Sequence, residues 1–254
     1  MSYETQKFDD GQVSAKLTNP NNLHVKLRGN SYEDLFKAAS IKEAWDHQTG
    51  DKGQAELTLY CLIAQRSDRR FNENESFDLK VVARFINQMG FDRVNLLHPH
   101  SSVTPALIEK SRILSHLEYV KKAYHDLNNP VLISPDAGAY KEAHGIAETL
   151  GASLIPANKV RVDGAPKIEL QGDVTGKTCL IVDDIADGGR TFIRLAHRLR
   201  ESGAEKVYLY VTHAMFHYGF NEVEEALDGV YCTNSYRDLS HPLIRQYDVL
   251  GQNL

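Results

Sequence analysis

The sequence predicts an α/β protein of two similar domains, each a parallel sheet flanked by helices. Three observations carry that reading. Strand patterns alternate with helix patterns, as in a parallel sheet covered on both faces. Charged loops follow the strand ends in both halves of the chain. The length of 254 residues suffices for two domains, expected over residues 1–110 and 111–254 with a junction near 105–115.

The elements follow in order. Residues 57–63 form a short apolar strand. A polar loop leads to a helix over about 78–89, with Leu79, Val82, Ala83 and Ile86 inward, Ser76 as its N-cap and Gly90 as its stop. Residues 94–97 are the next strand, and 114–127 a helix. A third strand over 131–133 follows Asn129-Pro130, and 139–150 is again helical. Residues 180–182 are apolar throughout, as expected of a strand buried on both faces. Thr191 then opens a helix with Phe192, Leu195, Ala196 and Leu199 on one face, closed by Ser202-Gly203. Residues 207–211 are a further strand, and the tail from Gly229 is mixed.

Composition narrows the class. Hydrophobic residues at 42% support a real core, and a net charge of −5 argues against a general nucleic-acid binder. Cys61, Cys179 and Cys232 are odd in number and widely spaced, which indicates neither a disulfide framework nor a zinc ribbon and fits a reducing cytoplasm. No signal-peptide pattern opens the chain, and its apolar runs are too short to span a bilayer.

The richest segment is Cys179-Leu-Ile-Val-Asp-Asp-Ile-Ala-Asp-Gly-Gly-Arg-Thr191. Gly188 and Gly189 let the backbone turn tightly and aim N–H groups at one point, where the following helix adds positive potential. Such a point suits a phosphate. Carboxylates repel phosphate, so Asp183 and Asp184 are expected to accept hydrogen bonds from neighbouring ribose hydroxyls or to meet a metal. Together they indicate a ribose phosphate.

Ligands in open α/β sheets bind beyond the carboxyl ends of the strands, and four further charged loops lie at such ends. Gln65-Arg-Ser-Asp-Arg-Arg70 offers three permanently charged guanidinium groups to phosphate oxygens, or is a solvated basic loop. His98-Pro-His100 suits zinc, or one imidazole completing a magnesium site. Ser134-Pro-Asp-Ala-Gly138 places Asp136 at a strand end, or is an ordinary turn. Lys159-Val-Arg161, with Val162-Asp-Gly-Ala165 after it, reads as a mobile loop able to close cations over a triphosphate, or as a plain surface loop.

The segment ending at Thr191 resembles the PRPP-binding fingerprint of type I phosphoribosyltransferase folds. The order of all five parts resembles the ribose-phosphate diphosphokinase (PRPP synthase) family over nearly the whole chain. The resemblance implies a phosphoribosyltransferase-like fold and Mg²⁺-dependent transfer of the β,γ-diphosphate of ATP to the anomeric hydroxyl of ribose 5-phosphate, releasing AMP. Phe8, Asp10 and Gln12, in Phe8-Asp-Asp-Gly-Gln12, match the family segment that meets adenine across a subunit interface, which implies at least a homodimer. Arg66, Asp68, Arg69 and Arg70 match the nucleotide loop, and His100 and Asp136 the metal-associated residues. Lys159 and Arg161 match the catalytic cations. Asp183, Asp184, Asp187, Gly188, Gly189, Arg190 and Thr191 match the ribose-phosphate site. The implied partners are small molecules, with no nucleic acid and no membrane.

Departures from the family pattern bear on the acceptor. His98 stands where the family has Asp, the loop after Arg161 is shorter, and only seven residues precede Phe8, so regulation and hexamer contacts are not carried over. Gly188 stands where the family has Thr, and Arg190 follows Gly189. A smaller side chain and an added guanidinium suit a larger 5-substituent, which makes ADP-ribose, giving ADP-ribose pyrophosphate for NAD salvage, the alternative acceptor. A phosphoribosyltransferase that consumes PRPP and a non-catalytic homologue are the other readings.

Overall fold

The turn Phe8-Asp-Asp-Gly11 folds the N-terminal segment back on itself, with Gly11 at φ +89° as only glycine readily allows. In the computed structural model, β1 (Tyr3–Lys7) and β2 (Val13–Leu17) pair antiparallel across it. The structure describes residues 3–19, 21–50, 52–162 and 165–251, and over 159–162 and 165–167 the backbone alone. The chain divides into two units, one reaching Ser115 and including Leu250 and Gly251, the other His116–Val249.

In the first unit the hairpin is followed by β3 (Leu23–Leu27), α1 (Tyr32–Thr49), β4 (Ala55–Leu59), α2 (Asp78–Gln88), β5 (Arg93–Leu97), α3 (Val103–Leu107) and β6 (Ser111–Leu114). The strands form a four-stranded parallel sheet in the order β3-β4-β5-β6. Ser31 caps α1 by accepting the Asp34 N–H at 3.1 Å, and Gly50 closes it in the left-handed region. Leu35, Ala38, Ile41 and Trp45 of α1 join Leu79, Val82, Ala83 and Ile86 of α2 in one core against the sheet. Trp45 keeps its indole N–H satisfied on the Asn21 carbonyl at 3.1 Å.

The second unit runs α4 (Leu117–Asp126), β7 (Val131–Ser134), α5 (Ala137–Leu150), β8 (Leu154–Val162), β9 (Ala165–Leu170), β10 (Thr178–Ala186), α6 (Arg190–Glu201), β11 (Lys206–Ala214), α7 (Asn221–Ala226), β12 (Gly229–Thr233) and β13 (Ile244–Tyr247). Its seven strands are ordered β13-β12-β11-β10-β7-β8-β9, all parallel except β9, which runs antiparallel to β8. The chain leaves β7 toward one edge and from β10 works toward the other, so the topological switch lies between β7 and β10. That is where a sheet of this kind binds ligands. Leu180, Ile181 and Val182 are buried between faces covered by helices, and Phe192, Leu195, Ala196 and Leu199 of α6 pack into the same core as Ile181.

The α/β architecture agrees with the sequence, but several elements differ in detail. The helix expected over 114–127 starts at Leu117, because residues 111–114 pair with β5 as a strand. The strand expected over 57–63 spans Ala55–Leu59. Ser76 does not cap α2; its hydroxyl donates to the Asp78 carboxylate at 2.5 Å, and Phe77 holds the cap position. Lys159 and Arg161 lie in β8, paired with β9, and not in a loop, while the Asp163-Gly164 part of that expected loop lies outside the described residues. All three cysteines are buried, and burial pushes the Cys179 and Cys232 thiols up to about 11 and about 12. Among the described residues, no helix is long and apolar enough to cross a membrane.

Candidate functional site

The site is built where β10 runs out at the switch point. Contrary to the expectation of a carboxylate pair beyond the strand, β10 continues through Asp183 and Asp184 to Ala186, paired with β11 as far as Ala214. Both carboxylates therefore project from ordered backbone. The Asp184 N–H donates to Asp183 Oδ1 at 3.0 Å. Asp187, Gly188 and Gly189 make the turn, with Gly189 at φ +78° as the cap of α6 and no side chain bonded to that cap. The first-turn N–H groups of a twelve-residue helix thus face the loop, the arrangement that attracts anions.

Asp136 stands at the end of the neighbouring strand. β7 pairs with β10 through Leu132↔Leu180 and Ile133↔Ile181, and Asp136 caps α5, its Oδ1 accepting from Gly138 N at 3.0 Å and Ala139 N at 3.2 Å. Burial, the adjacent Asp184 carboxylate and, more weakly, Asp136 push Asp183 up to about 8, so the pair shares a proton near neutral pH. Its stability consequence has a definite sign. In the unfolded chain this acid ionises near pH ~4. As pH rises from there through about 8 the folded state binds the extra proton, so this group makes the fold progressively less stable. We predict that Asp183→Asn raises the thermal midpoint at pH 8 in metal-free buffer by several degrees, with the gain shrinking as pH falls and gone only near pH ~4, where the unfolded acid is also protonated. An equal gain at both pH values would show that ionisation is not its source.

A third wall was not foreseen from the sequence. The segment after β11 is fastened to the fingerprint by backbone bonds from Met215 N and Phe216 N to Ala186 O, at 2.8 and 3.2 Å, and from His217 N to Asp187 O at 3.1 Å. His217 Nε2 lies 3.6 Å from Asp187 Oδ1, and Tyr236 meets the His217 ring edge-on. Tyr218 sits on Gly188, where an added Cβ would come within 2.6 Å of two ring carbons. The Arg190 guanidinium lies over the Tyr218 ring, 5.2 Å from its centroid. The expectation that Gly188 leaves room for a larger 5-substituent is therefore not met, because the ring occupies that room.

The remaining predicted residues in the second unit are Lys159 and Arg161, placed on β8 three and five positions beyond the last β7 pairing at Pro156. Their side chains lie outside the described residues.

The predicted nucleotide residues belong to the first unit. Arg66, Arg69 and Arg70 are exposed, whereas Asp68 is buried and bonded to its neighbour, Arg69 Nε to Asp68 Oδ1 at 2.9 Å. This pairing, with a hydrogen bond from Ser101, holds the Asp68 carboxyl below its usual range. Asp68 thus shapes the loop, and Arg70 Nε is bonded to the Glu75 carbonyl at 2.9 Å. The loop is also tied to the turn after β5, where His100 N donates to Gln65 Oε1 at 3.1 Å. His98 adopts the left-handed region at φ +41° and is buried, while His100 is exposed. Phe8, 43% exposed, sits at the hairpin turn, where Gln12 N donates to Asp10 Oδ1 at 2.9 Å.

The switch-point acid pair, the glycine turn and the helix start belong to a protein with a phosphoribosyltransferase-type fold, and the model of the phosphoribosyl transferase domain matches residues 111–233. The chain is 32% identical to the ribose-phosphate pyrophosphokinase of Vibrio parahaemolyticus over 90% of its own length and 77% of that protein. It is 33% identical to that of Pasteurella multocida over 67% of its length, but spans only 57% of that enzyme. Its fold matches the phosphoribosylpyrophosphate synthetase of Mycobacterium smegmatis with a TM-score of 0.81 and 21% identity, covering 98% of this chain and 86% of the other. The chain belongs to the ribose-phosphate pyrophosphokinase family.

Proposed function

We propose that this protein transfers the β,γ-diphosphate of ATP to the 1-hydroxyl of ribose 5-phosphate, giving PRPP and AMP. The observation that carries the reading is the Asp183-Asp184 pair and glycine turn at the β7/β10 switch point, in a chain aligned over nine-tenths of its length with a ribose-phosphate pyrophosphokinase. ADP-ribose finds no support among these relatives, and the Tyr218 ring removes the space that suggested it. In this reading Asp183 and Asp184 hold the ribose hydroxyls, and the 5-phosphate rests on the turn from Asp187 to Thr191. Arg66, Arg69 and Arg70 hold the ATP phosphates, Phe8, Asp10 and Gln12 the adenine of a neighbouring copy, and Lys159 and Arg161 the transferring group.

The step needs no covalent enzyme intermediate. The anomeric oxygen attacks the β-phosphorus, the bond from that phosphorus to the α,β-bridging oxygen breaks, AMP leaves with the bridging oxygen, and the hydroxyl proton passes to solvent. The protein's share is to align the two oxygens and neutralise the spreading negative charge. Mg²⁺ suits the donor set, since Asp183 is buried with the Asp184 and Asp136 carboxylates close enough to push it further upward, an oxygen-rich, under-neutralised cluster of three. Asp136 would hold it on the second unit, and when bound it supplies charge neutralisation on the phosphates; His100, on the first unit, is the other metal candidate of the resemblance. The buried thiols fit a reducing cytoplasm.

The test is a mass-resolved incubation with ATP and Mg²⁺, with and without ribose 5-phosphate. The expected result is AMP and PRPP in equal amounts, formed only with the sugar. No AMP in either tube would remove the assignment.

A further inference from the structure

Tyr218 is an aromatic ring held mostly in solvent beside the glycine turn. It is 76% exposed, yet the loop beneath it is anchored by Phe216, 1% exposed, and by three backbone bonds, two to the end of β10 and one to the turn after it. That anchoring puts the ring on Gly188 so closely that glycine is the one residue able to lie beneath it as it stands. The neighbouring guanidinium of Arg190, at the start of α6, lies against the same ring at 5.2 Å. Gly188 itself offers no side-chain donor to a phosphate at this turn. A guanidinium one turn position away, restrained by an aromatic face, supplies donors and a full charge.

We infer that Tyr218 is a positioning residue that holds Arg190 against the glycine turn, so that the guanidinium serves as a side-chain donor to the acceptor's 5-phosphate. The inference rests on the proposed ribose 5-phosphate site and names the group by which that site grips a phosphate monoester. Gly188, Arg190 and Tyr218 then form one unit: the glycine admits the ring, the ring orients the cation, and the cation takes the phosphate. An unrestrained arginine would lose more side-chain freedom on binding, which is the advantage the ring confers.

The experiment is calorimetric titration of ribose 5-phosphate into the full chain, with AMP release followed on the same preparations. Tyr218→Ala should weaken ribose 5-phosphate binding about twofold to fivefold with kcat little changed, and Tyr218→Phe, which keeps the ring, should restore it. Arg190→Ala should weaken binding about tenfold to a hundredfold, and adding Tyr218→Ala to it should cost nothing more. Unchanged affinity in Tyr218→Ala, or full additivity of the two losses, would overturn the inference. Because Tyr218 is exposed, its substitution does not threaten the fold. If the unaltered protein binds ribose 5-phosphate with this Tyr218 dependence but releases no AMP, the proposed function fails and the pairing stands. No binding by the unaltered protein overturns both.

Discussion

Lys159→Ala is expected to lower kcat by roughly two to three orders of magnitude while ribose 5-phosphate affinity changes little. In the proposed transfer, negative charge spreads over the diphosphate oxygens only as the bond to AMP breaks, and an ammonium serving there would act chiefly at that moment. Lys159 lies on β8, which pairs with β7, and Asp136 follows β7 at the switch point. Single-turnover AMP formation, with calorimetry of ribose 5-phosphate alongside, checks both halves of the expectation. Equal losses in turnover and in sugar binding would deny Lys159 a role confined to the transition state.

Asp136→Asn is the second large effect, and it separates two roles of one side chain. The carboxylate caps α5 by accepting from Gly138 and Ala139 N–H, and an asparagine oxygen does this about as well. The thermal midpoint should therefore stay close to that of the unaltered protein. The negative charge is lost, however, so turnover should fall about a hundredfold at limiting Mg²⁺ and recover in part as Mg²⁺ is raised. Asp136→Ala should lose activity and, in addition, about 1 kcal/mol of stability with the cap. Full activity of the asparagine variant at limiting Mg²⁺ would remove Asp136 from the metal site.

The fingerprint was legible because its parts are contiguous: an apolar run, acids, glycines and an amphipathic helix, each acting on its neighbours. Tyr218 and His217 were not, since they reach Gly188 and Asp187 only through the parallel pairing of β10 with β11, in which Ala186 meets Ala214. Such a register is a tertiary fact with no local signature. α1 escaped notice because Tyr32 and Phe36, 67% and 57% exposed, blur the contrast with its buried face. The β8–β9 pair has a local signal that its charge masks. Lys159-Val160-Arg161-Val162 alternates with period two and runs into Asp163-Gly164, a pair that favours a hairpin turn, but its charge suggested a loop.

The most direct test of diphosphate transfer uses ATP carrying ¹⁸O on its β- and γ-phosphoryl oxygens, with the α-phosphate unlabelled, and resolves the products by mass after incubation with ribose 5-phosphate and Mg²⁺. The account predicts that the β and γ groups move together, so PRPP carries the label and AMP carries none. Labelled ADP would show transfer of one phosphoryl group, and labelled pyrophosphate with unchanged ribose 5-phosphate would show hydrolysis. Either result would contradict the account.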